Sequence, residues 1–131
     1  MKKTNKINIR VRYGETDKMG VVYHGNYAQY LEVARVEWLR ELDISYKWME
    51  ENGVMLPVVS LFINYKQPAR YDDLLTIEVR LKKTPSVKIE FDYTIFDERD
   101  NILVEANTVL AFINSKTGRP MKCPDYILEK L

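Results

Sequence analysis

Near its start the chain alternates apolar and polar positions with a period of two. Ile7, Ile9, Val11 and Tyr13 interleave with Asn8, Arg10 and Arg12, which predicts a half-buried strand. The alternation stops at Gly14-Glu15-Thr16-Asp17, a small and polar group suited to a turn. Met19 to Tyr23 is an apolar patch too short for a helix, and it reads as an irregular loop against the core. From Tyr27 the period changes. Tyr27, Leu31, Ala34, Trp38 and Leu42 recur at three- and four-residue steps, with Tyr30, Val33 and Leu39 widening the stripe, and Glu32, Arg35, Glu37 and Arg40 supply a polar side. This predicts a helix of about four turns, with Asn26 as its N-cap. It ends near Asp43 and Ile44, and Ser45 is placed to cap a short second helix over Tyr46 to Asn52 that stops at a left-handed Gly53.

Beyond Gly53 the pattern is strand-like. Leu56 to Lys66 is apolar on both faces at first and alternating later. Leu75 to Leu81 and Val87 to Ile95 alternate cleanly, and Ile102 to Asn114 completes the set. The connections are Gln67 to Asp73, Lys82 to Ser86, the hairpin turn Asp97 to Asn101, and Ser115 to Pro120, with a short helix possible in the tail from Asp125 to Leu131. Sequential strands on short connections pair antiparallel. One long helix laid on a five-stranded antiparallel sheet is an α+β domain, here a single domain spanning residues 1–131. An open sheet leaves an edge to be covered, which makes a subunit partner an expectation.

Charge and composition narrow the field. A net charge of +1 supplies no overall field for nucleic acid or an anionic membrane, so an anionic ligand would need a local basic patch. One cysteine and one histidine exclude an internal disulfide and argue against a His/Cys metal site. No stretch approaches the ~20 apolar residues of a membrane span, and the charged start is followed by no apolar run of a signal peptide. The expectation is a cytoplasmic protein.

The chemistry-bearing residues gather between Gly14 and Tyr27. A carboxylate near a helix start can act as nucleophile or general base on a carbonyl carbon. The unpaired N–H groups of that helix start could accept the charge that develops on oxygen. His24 adds a proton carrier. Each residue also has a plainer reading. Asp17 can bond its own turn, Glu15 can be solvated or hold backbone, His24 can be a satisfied hydrogen-bonding residue, Asn26 a cap, and Tyr13, Tyr27 and Tyr30 core aromatics. Spacing leaves both sets open.

The segment R-Y-G-E-T-D-K-M-G-V-V-Y-H-G-N-Y, Arg12 to Tyr27, resembles the opening of the 4-hydroxybenzoyl-CoA thioesterase-like acyl-CoA thioesterases of the hotdog fold. I-N-Y-K-Q-P-A-R-Y-D-D-L-L-T-I-E-V and T-G-R-P extend the likeness over nearly the whole chain. The resemblance implies a long helix wrapped by an antiparallel sheet, and hydrolysis of an acyl-CoA with Asp17 as the catalytic carboxylate. It gives the backbone N–H at His24 the task of polarising the thioester oxygen, and the His24 imidazole that of orienting water or substrate. Tyr23 and Asn26 would shape the pocket mouth. The pocket would lie across the interface of a homodimer or homotetramer, with Val59, Ser60 and Leu61 of the other subunit facing Asp17. Met19, Tyr27, Tyr30, Met55, Leu56 and Phe62 are candidates to line it.

Coenzyme A, entering as part of the substrate rather than as a cofactor, needs basic residues for its phosphates, and Lys82, Lys83, Lys88, Arg119 and Lys122 are candidates by charge alone. No metal is implied. The readings set beside this one are an acyl-carrier-protein thioesterase, a hotdog protein that binds acyl-CoA without turning it over, and a hotdog dehydratase, whose histidine usually sits in a different motif.

Overall fold

The computed structural model describes residues 3–131. Its elements are β1 (Thr4–Arg10), α1 (Tyr27–Glu41), α2 (Tyr46–Glu51), β2 (Val54–Met55), β3 (Val58–Tyr65), β4 (Leu74–Leu81), β5 (Lys88–Phe96), β6 (Ile102–Ala111), β7 (Ile113–Asn114) and α3 (Asp125–Leu128). Single 3-10 turns at Tyr13–Glu15 and His24–Asn26 precede α1. Five strands form one antiparallel sheet in the order β1-β4-β5-β6-β3, with β2 and β7 making a separate two-stranded pair. This is the expected α+β arrangement of one long helix and a five-stranded antiparallel sheet.

The period-two pattern explains the helix-facing side. Ile7 pairs with Ile77, Ile77 with Ile95, Ile95 with Val104, and Val104 with Tyr65, so one row of side chains crosses all five strands. On that side Leu75, Ile77, Val79, Phe91, Tyr93 and Ile95 are buried. Against them α1 presents Tyr27, Tyr30, Leu31, Ala34, Trp38 and Leu39, all buried. Trp38 meets Phe91 edge-on at 4.9 Å and donates its indole N–H to the Lys3 carbonyl, which ties the helix to the first strand. Val33, expected on the apolar stripe, is half exposed. Ser45 caps α2 by accepting the Trp48 N–H, and Gly53 is left-handed at φ 85°, both as expected.

Several boundaries move. The first strand ends at Arg10, not Tyr13. Val11 is buried but pairs with the β3–β4 loop, and the 3-10 turn that follows swings Tyr13 out to 77% exposure against Tyr71, so Tyr13 is no core aromatic. The third-strand region starts at Val58 because Pro57 interrupts it, and Val54–Met55 pairs instead with β7. The last strand breaks at Phe112 into β6 and β7.

The two sheet edges differ. β1 carries Lys6 and Arg10, in ion pairs with Glu78 and Asp72, a charged edge of the kind that resists further pairing. β3 is apolar and open on both faces, with Val58, Val59, Leu61, Phe62 and Tyr65 each about half exposed or more. Among the described residues no helix is long and apolar enough to cross a membrane.

Candidate active site

Residues 15–23 form a small hairpin ahead of α1. At its base the Tyr23 N–H donates to the Glu15 carbonyl at 2.9 Å; Thr16 bridges to Val22, and the Asp17 N–H donates to the Val21 carbonyl at 2.9 Å. Its tip is a turn from Asp17 to Gly20. There Asp17 Oδ1 accepts the Met19 N–H at 2.8 Å, the Asp17 carbonyl accepts the Gly20 N–H, and Gly20 sits at φ 77°, where a side chain would be strained. The second carboxylate oxygen, Asp17 Oδ2, has no hydrogen-bond partner among the described residues.

The hairpin leads into the 3-10 turn at His24–Asn26, so the helical region starts two residues before the expected cap. Asn26 has helical angles (φ −77°, ψ −19°) and makes no capping bond; its amide instead donates to the Glu15 carbonyl at 2.8 Å. Asn26 is therefore a brace between turn and hairpin, not the N-cap. The first N–H groups of the turn, those of His24 and Gly25, find no acceptor among the described residues. The His24 ring is exposed, 4.4 Å from the Tyr23 ring and 6.4 Å from that of Tyr65, while the Tyr65 hydroxyl donates to the His24 carbonyl at 3.1 Å. A β carbon at Gly25 would come within 2.7 Å of the Tyr23 ring, so the small residue is what allows Tyr23 to lie back over His24.

Asp17 and His24 line one pocket of about 260 Å³, together with Met19, Val21, Val22, Tyr27, Tyr65, Lys66, Gln67 and Pro68. The far wall is the β3–β4 loop. It is held there by the Val22 N–H on the Ala69 carbonyl, by the Val21–Arg70 bridge, and by the Tyr27 hydroxyl, which accepts the Ala69 N–H at 3.3 Å. Burial pushes the Tyr27 hydroxyl above its ordinary pKa, so it stays protonated.

Glu15 is not solvated. Its carboxylate, 12% exposed, accepts the Arg12 N–H at 2.8 Å, the Arg12 guanidinium at 2.9 and 3.2 Å, and the Tyr30 hydroxyl at 2.9 Å. Burial alone would raise its pKa, but those donors outweigh it and hold the carboxyl below its usual range.

The other expected residues fall elsewhere. Tyr23 and Asn26 adjoin His24 without lining the pocket. Val59, Ser60 and Leu61 lie in the first half of β3, about 13 to 20 Å from Tyr65 by strand rise. Lys88 opens β5 opposite Ala111, and Arg119 lies in the turn after β7; both are exposed and remote from the pocket. Tyr30 is buried on Glu15, Leu56 lines a separate small cavity beneath α1, and Phe62 stands on the sheet's outer face beside Asn64 and Asn107. The wall residues Tyr65, Gln67 and Pro68 were missed as site residues, although Pro68 in a polar connection marks an irregular segment. Among the described residues no cluster of three or more His, Cys, Asp or Glu is gathered as a metal site.

Comparison with known proteins adds a family to this geometry. The family model of the thioesterase-like superfamily matches residues 11–131. Acyl-CoA thioester hydrolase YbgC of Escherichia coli is 30% identical over 92% of this chain and 90% of its own. The crystal structure of DHNA-CoA thioesterase from Staphylococcus aureus superposes with a TM-score of 0.90 at 35% identity, covering 96% of this chain and 85% of that one. The acyl-acyl carrier protein thioesterase ATL3 of Arabidopsis thaliana is 28% identical over 99% of this chain and 68% of its own.

Proposed function

The chain belongs to the thioesterase-like superfamily, and on that footing we propose that it is an acyl-CoA thioesterase of hotdog architecture, converting an acyl-CoA and water into a carboxylic acid and free coenzyme A. The observation that carries the proposal is a carboxylate oxygen, Asp17 Oδ2, left free in the same pocket as a helical turn whose first N–H groups are also unpaired. The Asp17 carboxylate either attacks the thioester carbonyl, displacing the sulfur and leaving a mixed anhydride that water then hydrolyses, or takes a proton from the water that attacks in its place. The His24 N–H receives the charge that builds on the carbonyl oxygen, and the His24 imidazole orients water or substrate. The sulfur leaves as the coenzyme A thiol, its proton coming from the water whose oxygen joins the acyl carbon. The step needs no cofactor beyond the coenzyme A that arrives with the substrate.

We further propose that the site is completed by a second copy. The open apolar edge of β3 supports pairing with the same strand of a partner. Antiparallel pairing about a two-fold axis near the middle of β3 would bring the partner's Val59–Leu61 end beside this pocket. Lys88, Arg119, Lys82 and Lys122 would come with that end, adding basic residues for the coenzyme A phosphates to the Lys66 that already lines the pocket. Tyr23 and Asn26 frame the mouth. A cytoplasmic location and a single domain over residues 1–131 belong to the same proposal.

The test is thiol release from a panel of acyl-CoAs, from acetyl through palmitoyl with benzoyl and 4-hydroxybenzoyl esters included, for the native protein and Asp17→Asn. Hydrolysis of one or more esters, abolished in a folded Asp17→Asn, is the expected result. Release from acyl carrier protein thioesters alone would move the substrate assignment to the carrier protein. Activity that survives the substitution would overturn the role of Asp17.

A further inference from the structure

Resting on the site reading just given, we propose that Glu15 is a positioning residue for the reaction, the single clamp that sets Asp17 relative to His24. Six hydrogen bonds converge on it from three directions. Its carboxylate accepts from the Arg12 backbone N–H, from the Nε and Nη2 N–H groups of the Arg12 guanidinium, and from the Tyr30 hydroxyl of α1. Its carbonyl takes the Tyr23 N–H and the Asn26 amide, the residues on either side of the His24–Gly25 pair.

Asp17 lies two residues beyond Glu15 at the hairpin tip, and His24 lies just past the hairpin base that the Glu15 carbonyl closes. Moving Glu15 therefore moves both groups against each other. The helix side of the clamp is buried: Tyr30 is 3% exposed, and without Glu15 its hydroxyl would be left without a partner in the core. No other side chain of the described residues ties the hairpin to α1 in this way. A displacement of about 1 Å between reacting groups is enough to cost about a hundredfold in rate, so the expected signature is in kcat and not in substrate affinity.

Two conservative variants test it, with Glu15→Ala as the reference for complete loss of the carboxylate. Tyr30→Phe removes the helix-side bond without changing the volume appreciably, and Glu15→Gln keeps an accepting oxygen but loses the ion pair with Arg12. Both are expected to lower kcat tenfold or more with KM within about threefold, after correction for any unfolded fraction, with Glu15→Gln retaining more activity than Glu15→Ala. A second readout needs no substrate. The chain has one histidine, so it gives a single imidazole Hε1 signal, whose ring-current shift reports the packing of His24 on Tyr23. That signal is expected to move in both variants. Native kcat in both variants, or an unmoved histidine signal, overturns the clamp. If the native protein hydrolyses no thioester, the catalytic reading fails by itself, and the histidine signal alone then decides whether Glu15 sets the elbow.

Discussion

Asp17 Oδ1 holds the Met19 N–H while Oδ2 is free, so one side chain both shapes the turn and supplies the reacting group. The two uses can be separated. In Asp17→Asn the amide oxygen can still accept from Met19, and Asn is well tolerated in such turns. The melting temperature should therefore stay within a few degrees of native, while turnover falls by about 10² to 10⁴, the usual worth of a positioned base. A variant that unfolds would show that the charge of Asp17 is structural. His24→Ala keeps the backbone N–H that the mechanism uses, so its loss should be smaller; a loss equal to that of Asp17→Asn would assign the essential work to the imidazole. Glu15 predicts a pH effect. Its carboxyl lies below the usual range in the folded protein, so its contribution to stability is present above the ordinary carboxylate pKa and is lost as pH falls through the folded value. Urea titrations across the acid range should show a shallower decline for Glu15→Gln than for the native protein. Equal slopes would mean that Glu15 does not titrate differently on folding. The sequence showed Glu15 only as a polar turn residue, because its partners Tyr30 and Asn26 lie 15 and 11 positions away and no local pattern connects them.

Elements with a strong period were readable from the chain itself. Apart from Val33 and Val87, which are exposed, the α1 stripe and the alternation of β4 and β5 place the same residues in the core that the structure buries, since periodicity and burial have one cause. Pattern failed where a segment's partner is distant. The alternation through Tyr13 continues past the point where β1 leaves the sheet, and Asn26 looks like a cap because the 3-10 turn ahead of it has no sequence signature. The Leu56 to Lys66 stretch is apolar on both faces at its start, which commonly means a buried strand, yet the structure exposes β3 at an edge. That conflict is what argues for a partner. A charge on this strand should oppose pairing: Phe62→Lys, on the exposed outer face, is expected to shift the protein toward monomer in sedimentation and to lower activity per chain most at low protein concentration. A native protein that sediments as a monomer while fully active would refute the shared site.

Across the whole molecule, α1 and the sheet enclose one core, and its boundary runs to the C-terminal segment, where Ile127 is fully buried and Cys123 is 4% exposed. The Cys123 N–H donates to the Ser86 carbonyl, which fastens that segment to the β4–β5 connection. Burial pushes the Cys123 thiol up to about 12, with the nearby Asp125 charge adding to the effect. Near pH 8 about one such thiol in ten thousand is ionised, and the thiolate is the reactive form. The only cysteine is therefore a reporter of global opening, set far from the pocket in a segment that the chemistry does not use. An aromatic disulfide reagent should label the native protein slowly, at a rate that follows unfolding, and label one equivalent at once in concentrated guanidinium. Native labelling should quicken in core variants such as Trp38→Ala, whose cavity costs about 3–5 kcal/mol, and stay slow in Asp17→Asn, whose fold is intact. Rapid stoichiometric labelling of the native protein would mean that the C-terminal segment opens independently of the core.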